Sequence, residues 1–308
     1  MKKNPELHIK SIKRYINPII QSSSNGWDAG ALRSPALAKL GSKYYCFYTG
    51  QPGPGERGFG QIGVSISSDL ENWEKYEGNP CLRPGEIGEW DHYCVADPWV
   101  FRYHDRFLMI YETVNPRAFG LAESYDLLHW RKYSKNPILR TTQQWETNGT
   151  EPGIMGPCTI EDNEGKWWLY YDAPVWPGPR LMGCATAESP WGPWKKHRDN
   201  PILREPFGHN EGSEGGCPFI YEKRVYMFRS VWREDGQMTI RLFTSDDFLH
   251  WRICDEPVLE GVYPYETGGV GPNAGIGSPA VCVENERIIC VYEAKGREWQ
   301  IGLMILKI

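Results

Sequence analysis

Ser34–Gly50 reads SPALAKLGSKYYCFYTG. A proline opens a short apolar strand, a polar turn follows, and an aromatic-rich strand closes the pattern, as in a β-hairpin. The pattern returns as DPWVFRYHDRFLMIYE (Asp97–Glu112), GPCTIEDNEGKWWLYYDA (Gly156–Ala173), CPFIYEKRVYMFRS (Cys217–Ser230) and SPAVCVENERIICVYEA (Ser278–Ala294). Aligned on Pro35, Pro98, Pro157, Pro218 and Pro279, the copies stand about sixty residues apart, which marks an internal repeat.

A second signature follows the first four hairpins: SSDLENWEKYEGNP (from Ser67), SYDLLHWRKYSKNP (from Ser124), SPWGPWKKHRDNP (from Ser189) and SDDFLHWRICDEP (from Ser245). A short strand such as GQIGVSIS or LMGCATA lies between the two signatures, so each unit carries four strands, one propeller blade. After the fifth hairpin only QIGLMILKI remains. The N-terminal IKRYINPII resembles the KNPIL and DNPIL ends of other units, so residues 12–20 are expected to supply the missing outer strand. The expected fold is all-β: a single five-bladed β-propeller over residues 1–308, with hairpins starting near 32, 95, 154, 215 and 276. WD-type blades repeat at ~40–45 residues, and no helical period is present.

Composition fits this reading. Hydrophobic residues make up 40% and charged residues 24%, as in a globular protein. The net charge of -5 comes without a basic run, which argues against a nucleic-acid partner. The N-terminal stretch lacks the apolar core of a secretory signal, and no segment approaches the ~20 apolar residues of a membrane span. Nine cysteines without a CxxC spacing read as buried reduced thiols, and together these features predict a cytoplasmic protein with no membrane partner. Oligomeric state is not legible.

The inner strands of a propeller converge on one axial funnel, so the residues ahead of each repeat proline are expected to meet there. These approaches are GWDAGALRSP, EWDHYCVADP, GTEPGIMGP, HNEGSEGGCP and GPNAGIGSP. They carry Asp28, Asp91, Asp97, Glu151, Glu211 and Glu214, with Asn273 as the neutral counterpart in the last unit. Carboxylates crowded into one funnel cannot all ionise easily, so at least one pKa rises. A protonated acid beside an ionised base is what glycoside hydrolysis uses. The competing reading is that these acids cap turns or pair with Arg33, Arg102 or Arg117. His92 and His209 flank the acids as candidates for hydrogen bonds to sugar hydroxyls or for a structural axial ion; no cofactor is expected. Trp27, Trp90, Trp145, Trp176 and Trp232 lie outside the repeating tryptophan position and suit stacking on sugar rings. The repeating Trp73, Trp130, Trp194 and Trp251 read as packing between blades. Arg33, Arg117, Arg180 and Arg233 are candidates for anionic groups.

In period, hairpins and the SxDLxxW turn the chain resembles the five-bladed propeller glycoside hydrolases of families 32, 43, 68, 117 and 130, most closely family 43. The resemblance implies a funnel with three acids. ADPWVF is similar to the family D-P motif and implies Asp97 as the residue that orients substrate or tunes the acid. EGGCPFIY is similar to the family 43 segment bearing the general acid and implies Glu214 in that role, with Glu151 in reserve. Family 43 usually has Asp directly before the first repeat proline, where Ser34 stands here, which leaves Asp28 as general base. The D-P motif lies in the second unit, as in family 32, but no NDPNG motif occurs. The implied activity is exo-acting, inverting hydrolysis of a plant or algal oligosaccharide. Trp27, Arg33, Asp91, His92, Glu151, His209, Glu211 and Asn273 are its expected substrate contacts. A family 130-like phosphorylase and a non-catalytic carbohydrate-binding propeller are the alternatives. The glycine of the sialidase S-x-D-x-G-x-x-W box is missing from every copy.

Overall fold

The computed structural model describes residues 7–53, 60–147, 153–173, 181–204, 213–233, 235–269 and 274–308. Among them the hairpin recurs five times, each with its inner strand nearest the axis. The inner strands are Ala31–Leu40, Ala96–Tyr103, Met155–Glu161, Ser213–Tyr221 and Gly275–Glu284. Their antiparallel partners are Lys43–Gln51, Arg106–Thr113, Trp167–Ala173, Arg224–Trp232 and Arg287–Lys295. Third strands follow at Gln61–Ser67, Ala118–Ser124, Leu181–Ala187, Met238–Ser245 and Trp299–Lys307. Outer strands in the first four units are Glu74–Lys75, Arg131–Lys132, Lys195–Lys196 and Trp251–Leu259. In the fifth, the N-terminal strand Ser11–Arg14 pairs with Trp299–Lys307, from Ser11 opposite Lys307 to Arg14 opposite Met304. Ile20 adds a bridge to Ile301. One parallel pair, Met238 with Gly275, joins the fourth and fifth sheets.

Side chains alternate across a strand, so a strand covered on both faces reads as a continuous apolar run. Tyr44, Cys46 and Tyr48 face the fifth unit, with Ile289, Val291 and Leu303. Tyr45 and Phe47 face the second, with Val100, Phe107 and Met109. Equivalent clusters fill the interfaces of the second with the third unit, the third with the fourth, and the fourth with the fifth. The repeating tryptophans cross these seams: Trp130 meets Phe47 edge-on at 5.7 Å and Trp251 meets Tyr170 at 5.5 Å.

The two signatures have local causes. Ser67 Oγ accepts the Leu70 N–H at 2.9 Å, and Asp69 Oδ1 accepts those of Glu71 and Asn72 at 2.8 Å each. The side chains thus complete the turn that the backbone leaves open, with Leu70 at φ 67°. The asparagine of the N-P step that ends the second signature in the first three units replaces a strand neighbour. Asn79 receives the Val64 N–H at 2.9 Å and donates to its carbonyl at 2.8 Å, and Asn136 and Asn200 do the same to Leu121 and Cys184.

An aromatic–acid pair forms a third repeating device: Trp27-Asp28, Trp90-Asp91, Trp145-Glu146 and Tyr265-Glu266. The first three tryptophans lie over Tyr48, Tyr111 and Tyr171 at 5.8, 6.0 and 5.8 Å. The four acids accept the hydroxyls of Tyr48, Tyr111, Tyr171 and Tyr292. Lys75, Lys132 and Lys196 from the outer strands neutralise the first three at 2.6, 2.7 and 2.6 Å. Each of the first three latches ties a loop, a second strand and an outer strand through one ion pair whose carboxylate is buried.

Candidate functional site at the axis

Every inner strand breaks register at the same place: between Arg33 and Ala36, Ala96 and Trp99, Met155 and Cys158, Glu214 and Gly216, and Gly277 and Ala280. The bulged residue is Ser34, Asp97, Gly156, Gly215 or Ser278, at φ 46°, 48°, 59°, 59° and 44°. Two of the five are glycine, which adopts this left-handed region freely; Asp tolerates it better than most residues. The bulge re-aims the strand at the axis. It also corrects one alignment: Gly216, not Pro218, is the counterpart of Pro35, Pro98, Pro157 and Pro279, because Pro218 pairs with Met227 two positions further along.

The freed backbone N–H of each bulge is captured by a second-strand side chain of the preceding unit. Asp97 N donates to Thr49 Oγ1 at 2.9 Å, Gly156 N to Glu112 Oε2 at 2.9 Å and Gly215 N to Asp172 Oδ2 at 2.8 Å. Ser278 N donates to Ser230 Oγ at 2.7 Å, and Ser34 N to Glu293 Oε2 at 2.9 Å, which closes the ring from fifth unit to first. Three of the five acceptors are buried carboxylates, each with an arginine. Glu112 meets Arg117, Asp172 meets Arg229 at 2.6 Å, and Glu293 lies 3.7 Å from Arg33.

Above this ring opens a cavity of about 210 Å³, more than ten times the ~15 Å³ one water needs. Asp97, Glu112, Arg33, Arg117, Thr49, Trp99 and Cys94 contribute to its wall. The chemistry concentrates at Asp97 and Glu112. Burial, the neighbouring Asp97 charge and a hydrogen bond to Asp97 push the Glu112 carboxyl up to about 8, against the opposing pull of Arg117 and the Gly156 N–H. Glu112 therefore keeps its proton at neutral pH beside a second carboxyl, an arrangement suited to proton transfer. Burial also holds the Cys94 thiol protonated, pushed up to about 12.

Of the residues expected at the site, Asp97 and Arg33 line the cavity. Glu214 has its backbone opposite Ser230, the register position held in other units by Arg33, Ala96 and Met155. Asp28, expected as general base, lies elsewhere: it is 2% exposed and committed to Lys75 and Tyr48 in the first latch. Asp91, 1% exposed, is likewise spent on Tyr111 and Lys132. Trp27, Trp90 and Trp145 stack on latch tyrosines, not in the cavity. His92 is exposed, its Nδ1 2.7 Å from the Glu89 carbonyl. Glu151, His209, Glu211, Asn273 and Trp176 lie outside the described residues. The ring acids Glu112, Asp172 and Glu293 were absent from the sequence expectation. Their signal was the polar residue ending each aromatic run, in YYCFYT, LMIYE, WLYYD, YMFRS and ICVYE.

The model of the family described as glycosyl hydrolases family 43 matches residues 92–247. No curated protein matches the chain. Solved structures that share its fold include the following three. A putative glycoside hydrolase from Parabacteroides distasonis is 14% identical, with TM-score 0.73 and 95% of each chain covered. A family 117 glycoside hydrolase from the marine bacterium Zobellia galactanivorans is 16% identical, with TM-score 0.70, covering 96% of this chain and 90% of its own. A β-1,2-mannobiose phosphorylase from Listeria innocua, in complex with β-1,2-mannobiose, is 14% identical, with TM-score 0.72 and 96% of each chain covered.

Proposed function

The chain belongs to glycosyl hydrolases family 43, and on that premise we propose that it cleaves a plant or algal oligosaccharide at its axial cavity, exo-acting and with inversion. The observation that carries this reading is Asp97, an acid on a left-handed bulge lining the cavity beside the proton-bearing Glu112. In the proposed step the Asp97 carboxylate takes a proton from water as the water attacks the anomeric carbon. Glu214, one position before the equivalent bulge of the fourth unit, gives its proton to the leaving oxygen. The glycosidic C–O bond breaks as the new C–O bond forms on the opposite face, which inverts the centre.

Trp99 supports exo action. It borders both the axial cavity and a second cavity along the inner strands, and its indole N–H donates to the Thr159 carbonyl at 3.1 Å. On this reading the Trp99 indole floors the axial cavity, and a floored pocket admits a chain end.

Turnover of aryl arabinosides, xylosides and galactosides, followed by ¹H NMR of the first-formed anomer, tests the proposal. The expected result is hydrolysis with the opposite anomer released first; retention, or no turnover of any glycoside, overturns it. Arg33 and Arg117 in the same wall favour one second reading, phosphorolysis. It predicts turnover that requires phosphate and yields a sugar phosphate.

A further inference from the structure

We propose that Glu112 is a positioning residue of the axial site: it shares one proton with Asp97 and by that hydrogen bond holds the Asp97 carboxyl at the cavity wall. The inference rests on the reading of Asp97 as the acting carboxylate. Glu112 ends the second strand of the second unit, opposite Ala96 and next to the Asp97 bulge. It is 3% exposed and still borders the cavity. Its surroundings leave it little freedom. Oε2 accepts the Gly156 N–H of the next unit at 2.9 Å, and Oε1 accepts from Arg117, in the turn that follows its own strand. Asp97 faces it from the inner strand, its own N–H fixed by Thr49 of the preceding unit, and the protonated Cys94 thiol lies on the same wall. Arg33 approaches the cavity from the first unit, where Glu293 lies 3.7 Å away.

The geometry also explains why the second unit differs from its neighbours. In the third unit Asp172 occupies the ring position, but the bulge before it is Gly156, so no second carboxyl lies there, and buried Arg229 at 2.6 Å balances the charge. In the fifth unit Glu293 follows the Ser278 bulge, again without a second acid. Only in the second unit, among the described residues, do bulge and ring positions both carry carboxyls. Two carboxyls side by side in one buried wall stay together by retaining one proton. Arg117 and the Gly156 N–H hold the two Glu112 oxygens in place beside Asp97.

The test uses the full chain with ¹³C-carboxyl-labelled glutamate, titrated by NMR from about pH 5 to 10, with the Glu112 signal assigned by its loss in Glu112→Gln. The expected result is a carboxyl that titrates near pH 8 and moves down by at least one pH unit in Asp97→Asn. A Glu112 signal that titrates in the ordinary carboxylate range, or that ignores Asp97→Asn, overturns the proposal. This readout needs no turnover, so failure of the glycosidase reading is seen separately. Where an active glycoside is found, kcat/KM of the wild type is expected to fall above about pH 8, and Glu112→Gln to lose that limb. A limb unchanged in Glu112→Gln contradicts the proposal. Should Glu112→Gln not fold, Glu112→Ala assigns the signal, and a glutamate carboxyl titrating near pH 8 that does not move in Asp97→Asn overturns the proposal.

Discussion

At Asp97, three demands meet on one residue. Its backbone is left-handed at φ 48°, its N–H is held by Thr49, and its side chain shares a buried wall with Glu112. Such a residue works against stability in the fold. Glu112 carries a folded pKa of about 8 against an ordinary value of 4.5. Between those values the folded chain binds its proton more tightly than the unfolded chain, so stability falls as pH rises through that window. The loss is of the order of a few kcal/mol. Asp97→Asn removes the like charge and is expected to recover part of it. Thermal melts at about pH 6 and pH 9 should show the Asn variant gaining Tm over the wild type at the higher pH and little at the lower. An equal effect at both values contradicts this account of the pair.

At the scale of elements, the latches carry the organisation of the first three units. Asp28 touches Tyr48 and Lys75, so Asp28→Ala leaves a buried tyrosine hydroxyl without its acceptor and the Lys75 ammonium with Ser23 but no counter-charge. Lys75 is partly exposed, so water recovers some of the loss, and the expected destabilisation is about 2–3 kcal/mol by urea unfolding. Lys75→Met leaves the buried Asp28 carboxyl without its cation and is expected to cost at least as much. The hairpins, the SxDLxxW turns and the closing strand were legible in the sequence because each rests on a local pattern: alternation, turn-forming side chains, a repeating tryptophan. The division of acids between latch and axis was not. Asp28 and Asp91 stand on the same approaches as Asp97, and what separates them is a tyrosine about twenty residues downstream and a lysine further on, visible only once the strands are stacked. Glu112 escaped notice because it ends an apolar run and reads as the strand's exit into solvent; the ring buries it.

At the scale of the whole molecule, five hydrophobic seams and five axial hydrogen bonds close one circle among the described residues. The closure has one special joint, where the outer strand of the last unit comes from the other end of the chain. Deleting residues 1–15 exposes the edge of Trp299–Lys307, and an unpaired edge invites pairing with a second chain. The truncated protein is expected to lose at least several degrees of Tm, and to show concentration-dependent association by light scattering that the full chain lacks. On the proposed reading a closed circle also sets where catalysis occurs, because among the described residues the inner-strand bulges reach the axis from every unit. The most direct test of that claim is a comparison of Asp97→Asn with Asp28→Asn on one hydrolysed aryl glycoside, each variant shown to be folded. The account predicts that Asp97→Asn loses kcat/KM by several powers of ten with substrate binding kept, while Asp28→Asn keeps its kcat and melts earlier. Full activity in Asp97→Asn, or a folded but inactive Asp28→Asn, would contradict it.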